Sequence, residues 1–92
     1  MIMSFKDPEA AKLHARQPSR RPQDIQRAAL RKLRMLNSAK AIRDLRSPPA
    51  NRLEKLTGGR KGQYSIRIND QWRVCFVWRE GNAFDVEIVD YH

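Results

Sequence analysis

The sequence predicts an α+β fold, a small antiparallel β-sheet packed against two N-terminal helices, and three observations carry that expectation. Residues 62–92 alternate with a period of two, residues 22–37 repeat their apolar side chains at helical spacing, and 92 residues leave room for a single domain, 1–92. A chain this short buries only about 60–70% of its unfolded surface, so one compact core is expected.

The strands come first because they organise the rest. Tyr64, Ile66 and Ile68 alternate with Ser65 and Arg67, and Val74, Phe76 and Trp78 with Arg73, Cys75, Val77 and Arg79. Phe84, Val86 and Ile88 alternate with Asp85, Glu87 and Val89, and the turn formers Asn69-Asp70 and Gly81-Asn82 separate the runs. A one-residue slip would turn every core side chain into water, so parity sets the register. With Ile68 facing Trp72, Ile66 faces Val74, Tyr64 faces Phe76, and Arg67 stands directly across from Arg73. A two-residue hairpin at Gly81-Asn82 would break this parity, so a longer or bulged connection is expected there. Arg67, Arg73 and Tyr91 then share one face, with His92 beside them and Asp85, Glu87 and Asp90 near. Two readings fit that face: a phosphate site, or a solvated surface whose arginines pair with Asp85 and Glu87.

Upstream, Ile2 to Phe5 reads as an edge strand, and Asp7-Pro8 is an N-cap with proline at the first helical position. The helix it opens, 9–16, turns Ala10 and Leu13 inward, ends before Pro18, and carries His14 as an ordinary exposed residue. In 22–37, Ile25, Ala29, Leu33 and Leu36 make an apolar stripe. Arg27, Arg31, Lys32 and Arg34 occupy its other faces. They are either a plain solvated surface or a secondary contact for RNA or an acidic partner, since carboxylates at helical pairing distance are missing after Asp24. Ser38 reads as the N-cap of a short helix, 39–45, that stops before Ser47-Pro48-Pro49. Residues 52–56 are read as a strand entering the meander. Arg60 and Lys61 stand among Gly58, Gly59 and Gly62, a loop that either meets a phosphate or simply holds solvated charges.

Composition narrows the function classes. Against 10 Asp and Glu stand 19 Lys and Arg, a formal charge of +9. Such an excess points to a polyanion, nucleic acid first and an acidic protein second. Cys75 is the only cysteine and His14 and His92 the only histidines, too few for an internal disulfide or for a zinc set built from these side chains. Neither a signal-peptide core nor a membrane-spanning run is present, so a cytoplasmic protein without a membrane partner, metal or cofactor is expected.

Three segments carry a family likeness: Gly62-Gln63-Tyr64-Ser65-Ile66-Arg67-Ile68-Asn69, Gln71-Trp72-Arg73-Val74-Cys75-Phe76, and Asp85-Val86-Glu87-Ile88-Val89-Asp90-Tyr91-His92. Together with the opening Met1-Ile2-Met3-Ser4-Phe5 and with Asn51-Arg52-Leu53, they resemble HigB toxins of the RelE/ParE superfamily. The Trp72-Arg73 pair and the terminal Asp90-Tyr91-His92 are the specific parts. What the resemblance implies is a RelE-like fold and a metal-independent endoribonuclease that cuts mRNA in the A site of the 70S ribosome. It also implies inhibition by a HigA-like helix-turn-helix antitoxin, in a complex that reaches a heterotetramer. The family's catalytic residues map onto Arg73, Tyr91 and His92, with Arg67 replacing an arginine that some relatives carry where this chain has Asn69. Where many relatives have His-Pro-Leu-Lys-Gly, this chain has Glu54-Lys55-Leu56-Thr57-Gly58, so Thr57 replaces a lysine for which Arg60 or Lys61 is the substitute.

Metal-free RNA cleavage needs a base for the 2′-hydroxyl, cations for the crowded phosphorane, and an acid for the leaving 5′-oxygen. His92 is the natural proton carrier, because imidazole titrates near ~6.5 whereas the Tyr91 phenol titrates near ~10. Arg73, with Arg67 or Arg60, supplies planar donors suited to phosphate. Trp72 is expected to be mostly core. A ParE-like gyrase inhibitor and a noncatalytic RNA-binding module are the rivals, and a terminal imidazole beside arginines speaks against both; a basic ribosomal protein is a third, and it does not explain the alternation that sets Arg67 against Arg73. On this reading Arg73 is a surface residue whose removal changes stability by no more than about 0.5 kcal/mol, and relief of its repulsion with Arg67 raises the melting temperature.

Overall fold

The computed structural model describes residues 1–90. Helix α1 (Pro8–His14) and helix α2 (Gln23–Ser38) precede strands β1 (Glu54–Lys55), β2 (Gln63–Arg67), β3 (Trp72–Arg79) and β4 (Asn82–Asp90), with short 3₁₀ turns at Ile42–Arg46, Pro49–Asn51 and Gly58–Arg60. The strands form one antiparallel sheet in the order β1-β2-β3-β4. The expected meander is present, and its register is the one parity requires: Ile66 pairs with Val74, Tyr64 with Phe76 and Arg67 with Arg73.

Parity at the last hairpin is repaired inside the strand. The connection is bulged rather than longer: its loop is the two-residue Glu80-Gly81, and both residues have positive φ, as a tight hairpin turn demands. Because Cys75 pairs with Glu87 and Val77 with Phe84, two residues of β4 oppose Phe76 alone. Asp85 takes the bulge, at φ +53°. The bulge sends Ala83, Val86 and Ile88 to the core and leaves Phe84 on the other face, under the Arg79 guanidinium at 4.5 Å. Strict alternation had placed Phe84 inside.

Both helices cover the face that carries Ile66, Val74, Phe76, Val86 and Ile88, and they add Ala10, Leu13, Ile25, Ala29, Leu33 and Leu36 to the core. Asp7 caps α1 through Glu9 N (2.9 Å), and its other oxygen accepts from Arg21 Nη2 (2.7 Å) and Ile88 N (3.2 Å), which ties α1 to β4. Arg21 also lies 5.5 Å from the Trp72 ring, which is half-buried against the core as expected. Ile2 to Phe5 lies parallel to β4 through bridges to Ala83 and Val86, the edge position expected of it.

Two local expectations are corrected. Ser38 ends α2, and the following 3₁₀ turn is capped by Asp44, whose carboxylate accepts from Lys40 N (3.0 Å) and Ala41 N (3.1 Å). These donors, Lys40 N first, hold the Asp44 carboxyl below the usual carboxylate range. His14 is half-buried, with its ring 5.6 Å from Phe5.

Candidate RNA-binding cleft

The sheet face turned away from the helices carries Ser65, Arg67, Arg73, Cys75 and Glu87, since these alternate with the core residues. It is not the solvated surface that alternation suggests. Ser65 and Cys75 are fully buried and Arg73 is 7% exposed. Burial pushes the Cys75 thiol up, so it is poorly suited to act as a nucleophile.

At the end of this face is a cleft of about 240 Å³ lined by Arg52, Glu54, Arg67, Asn69, Asp70 and Arg73. Arg73 is its best-held member. Its Nε donates to Ser65 Oγ (2.8 Å), Nη2 donates to the Arg52 carbonyl (2.6 Å), and Nη1 lies 3.7 Å from Glu54 Oε1. A guanidinium gripped along one edge is oriented before any ligand arrives. The expectation that Arg73 is a surface residue is therefore corrected: an interior strand position puts its stem beneath the 52–54 segment.

Arg67, its register partner, pairs with Asp70. Asn69 shapes the turn between them by accepting from Gln71 N and Trp72 N, each at 2.9 Å. Neither arginine pairs with Asp85 or Glu87. Glu87 instead meets Lys6 and Arg60, each at 3.5 Å, and Arg60 also donates to Gln63 Oε1 (3.2 Å). Arg60 thus lies across the sheet rather than in open solvent, whereas Lys61 is exposed.

On α2, which backs the other side of the sheet, Arg27, Arg31 and Arg34 are exposed, and Lys32 is not. Lys32 is 9% exposed and donates to Asn51 Oδ1 at 2.6 Å, so the expectation that it reaches solvent with the other three is corrected. The helical stripe is wider than the apolar residues show, and Lys32 falls on its edge, three residues after Ala29 and four before Leu36. Tyr91 and His92 lie outside the described residues. Asp90, just before them, pairs with Trp72, one position from the Arg73–Val89 pair.

Sequence reasoning missed Glu54, Asp70 and the Arg52 carbonyl. For Asp70 the signal was there, three residues after Arg67 in a turn. For Arg52 there was none, because its contribution is a backbone oxygen aimed by a left-handed residue, φ +45°.

Comparison with known proteins agrees with this fold. Residues 3–92 match the family of HigB-like toxins, RelE-like toxins of the type II toxin-antitoxin system HigB. Toxin HigB-1 of Vibrio cholerae is 41% identical over 87 residues, 92% of each chain. The protein named Endoribonuclease HigB of Proteus vulgaris is 33% identical over 70 residues, 76% of this chain and 74% of that one. A chain of the heterotetrameric YoeB-YefM toxin-antitoxin complex of Staphylococcus aureus superposes with a TM-score of 0.61 at 17% identity, covering 100% of this chain and 98% of that one.

Proposed function

This chain belongs to the HigB-like family of RelE-like toxins of type II toxin-antitoxin systems, and we propose that it arrests translation as an endoribonuclease that cuts mRNA in the ribosomal A site without a metal ion. A HigA-like helix-turn-helix antitoxin restrains it in the cytoplasm, in an assembly that reaches a heterotetramer. The single observation that supports this most is the pre-oriented Arg73 guanidinium, displayed with Arg67 in a cleft at the end of the sheet. The endoribonuclease name of the Proteus vulgaris relative supports the reaction class.

In this mechanism the 2′-oxygen attacks the adjacent phosphorus, its proton passes to a base, and the P–O5′ bond breaks as an acid protonates the leaving oxygen. The product end is a 2′,3′-cyclic phosphate. Arg73 and Arg67 offset the charge that gathers on the phosphorane, a task for fixed donors. His92 carries a proton, Tyr91 stacks on or hydrogen-bonds the nucleotide, and the Glu54 carboxylate, 3.7 Å from Arg73, is a further proton acceptor in the cleft. Arg60, Lys61, Arg27, Arg31 and Arg34 meet the ribosome or the message as distributed positive charge. So small a domain takes its substrate alignment from the ribosome.

Expression of the chain alone should arrest growth, and co-expression of a helix-turn-helix protein encoded beside it should restore growth. Purified protein should cut ribosome-bound message to a cyclic phosphate end, and His92→Ala should lower the rate by ~10²- to 10⁴-fold. Efficient cutting of free RNA would remove the ribosome from the proposal, and full activity in His92→Ala would remove the imidazole.

A further inference from the structure

Lys32 is a charge in an expensive place. Its ammonium is buried, and the partner that holds it is a neutral amide oxygen, Asn51 Oδ1 at 2.6 Å. Burial, then the charges of Arg31 and Arg67, press its pKa below the ordinary lysine value. Removing an ion from water without an opposite charge is unfavourable, and an apolar pair in place of both the ion and its partner is commonly no less stable. The position is therefore explained better by geometry than by stability.

That geometry leads to the cleft. Asn51 is fully buried and spends its amide group on the carbonyls of Leu45 (3.1 Å) and Ser47 (3.4 Å). The side chain is thus anchored through both its oxygen and its amide nitrogen, which fixes where the chain enters Arg52. The next residue, Arg52, is left-handed at φ +45° and ψ +55°, with its N–H on the Pro49 carbonyl at 3.0 Å. A non-glycine residue adopts that conformation only where its surroundings enforce it. Its consequence is that the Arg52 carbonyl meets Arg73 Nη2 at 2.6 Å.

We infer that Lys32 and Asn51 are positioning residues that set the Arg52 carbonyl, and through it the direction in which the Arg73 guanidinium faces the RNA phosphate. This rests on the nuclease reading of the cleft, but the positioning itself has a readout independent of catalysis. In the series Lys32 to Asn51 to Arg52 to Arg73, helix α2, on the apolar side of the sheet, controls an angle on the polar side. Lys32 touches no substrate.

The test uses the full chain with Lys32→Met, which keeps the length and loses the charge and donor, and Lys32→Arg, which keeps both. The Arg73 Nε–H resonance, assigned by its loss in Arg73→Lys, is followed by hydrogen exchange, alongside melting temperature, ribosome affinity and single-turnover cleavage. In Lys32→Met the Arg73 Nε–H should exchange at least roughly tenfold faster and the cleavage rate should fall about tenfold, as for a misdirected group. Ribosome affinity should stay near wild type, the melting temperature should fall only by what the loss of a donor to the buried Asn51 Oδ1 costs, and Lys32→Arg should restore the Arg73 signal. An unchanged Arg73 resonance in Lys32→Met overturns the inference. So does a joint fall of melting temperature, ribosome affinity and rate that Lys32→Arg fails to rescue, because that is the behaviour of a merely structural lysine. If Lys32→Met does not fold, Lys32→Arg decides: a protected Arg73 Nε–H supports the inference and an unprotected one refutes it. A wild-type protein that cuts no message while its Arg73 resonance responds as described would sink the nuclease reading and leave the positioning standing.

Discussion

The two faces of the sheet bury alternate residues of the same strands to nearly the same depth and by opposite means. On the helix side, Ile66, Val74, Phe76 and Val86 are fully buried under α1 and α2, and their partners are apolar. Across the sheet, Ser65 and Cys75 are equally buried, but Ser65 accepts from Arg73, which also donates to the Arg52 carbonyl, and the bonds there are directional. Apolar burial is tolerant of direction and intolerant of lost volume. Polar burial is the reverse, because a buried donor or acceptor without a partner is penalised whatever the packing. One face therefore supplies stability, and the other converts part of it into a fixed guanidinium.

The largest effect should come from breaking the apolar side. Among the described residues Phe76 is the largest fully buried side chain, packed between Tyr64 and Trp78. Phe76→Ala should cost about 3–5 kcal/mol, a large share of the roughly 5–15 kcal/mol of a small domain. Thermal unfolding should show a drop of well over about 10 °C, with activity lost only in proportion to the unfolded fraction. A drop below about 5 °C would mean that the helices do not seal this face.

Next in size is Arg73→Ala. Its removal leaves Ser65 Oγ and the Ser65 carbonyl buried without this donor, at about 1–3 kcal/mol. The melting temperature should therefore fall, the opposite of what relief of the Arg67 repulsion predicts. Cleavage should fall about 10²- to 10³-fold at temperatures where the variant is folded. Here the ratio of activity lost to stability lost should be far greater than for Phe76→Ala. Equal ratios would erase the distinction between the faces.

Much of the fold was legible because alternation and helical spacing are properties of single residues in order. The Arg67–Arg73 register followed from parity, and the Asp7-Pro8 cap from local chemistry. Parity demanded a longer or bulged connection, but it did not say that the bulge falls at Asp85, since a left-handed aspartate in a strand leaves no trace in hydropathy. Lys32 was misread because charge was taken as exposure, although its position, three after Ala29 and four before Leu36, sits at the border of the apolar stripe. The depth of Arg73 was misread for a related reason. Pattern tells which face a side chain takes, while the hold on Arg73 comes from the Arg52 carbonyl and Glu54, whose placement follows from Asn51 and the left-handed Arg52 rather than from any periodic signal.

The smallest expected effect lies with charge at the edge of the helix layer. Glu9 gathers the turn between α1 and α2: its carboxylate accepts from the Arg20 N–H, the Lys12 ammonium and the Ser19 hydroxyl. These hold its pKa down from 4.5 to about 2, with the Arg20 N–H the largest cause. Because the folded value is the lower one, the unfolded chain binds more protons between about pH 2 and 4.5, and the contribution of Glu9 is present above that window and lost as the pH falls through it. Glu9→Gln removes the titration, so its melting temperature should decline less steeply than wild type on going from about pH 5 to about pH 2. The two proteins should converge at the acid end while cleavage near neutral pH stays at the wild-type rate, since Glu9 belongs to the helix side and not to the cleft. Parallel acid profiles would show that the turn keeps its shape without the carboxylate, and a loss of cleavage at neutral pH would show that the edge of the helix layer reaches the open face after all.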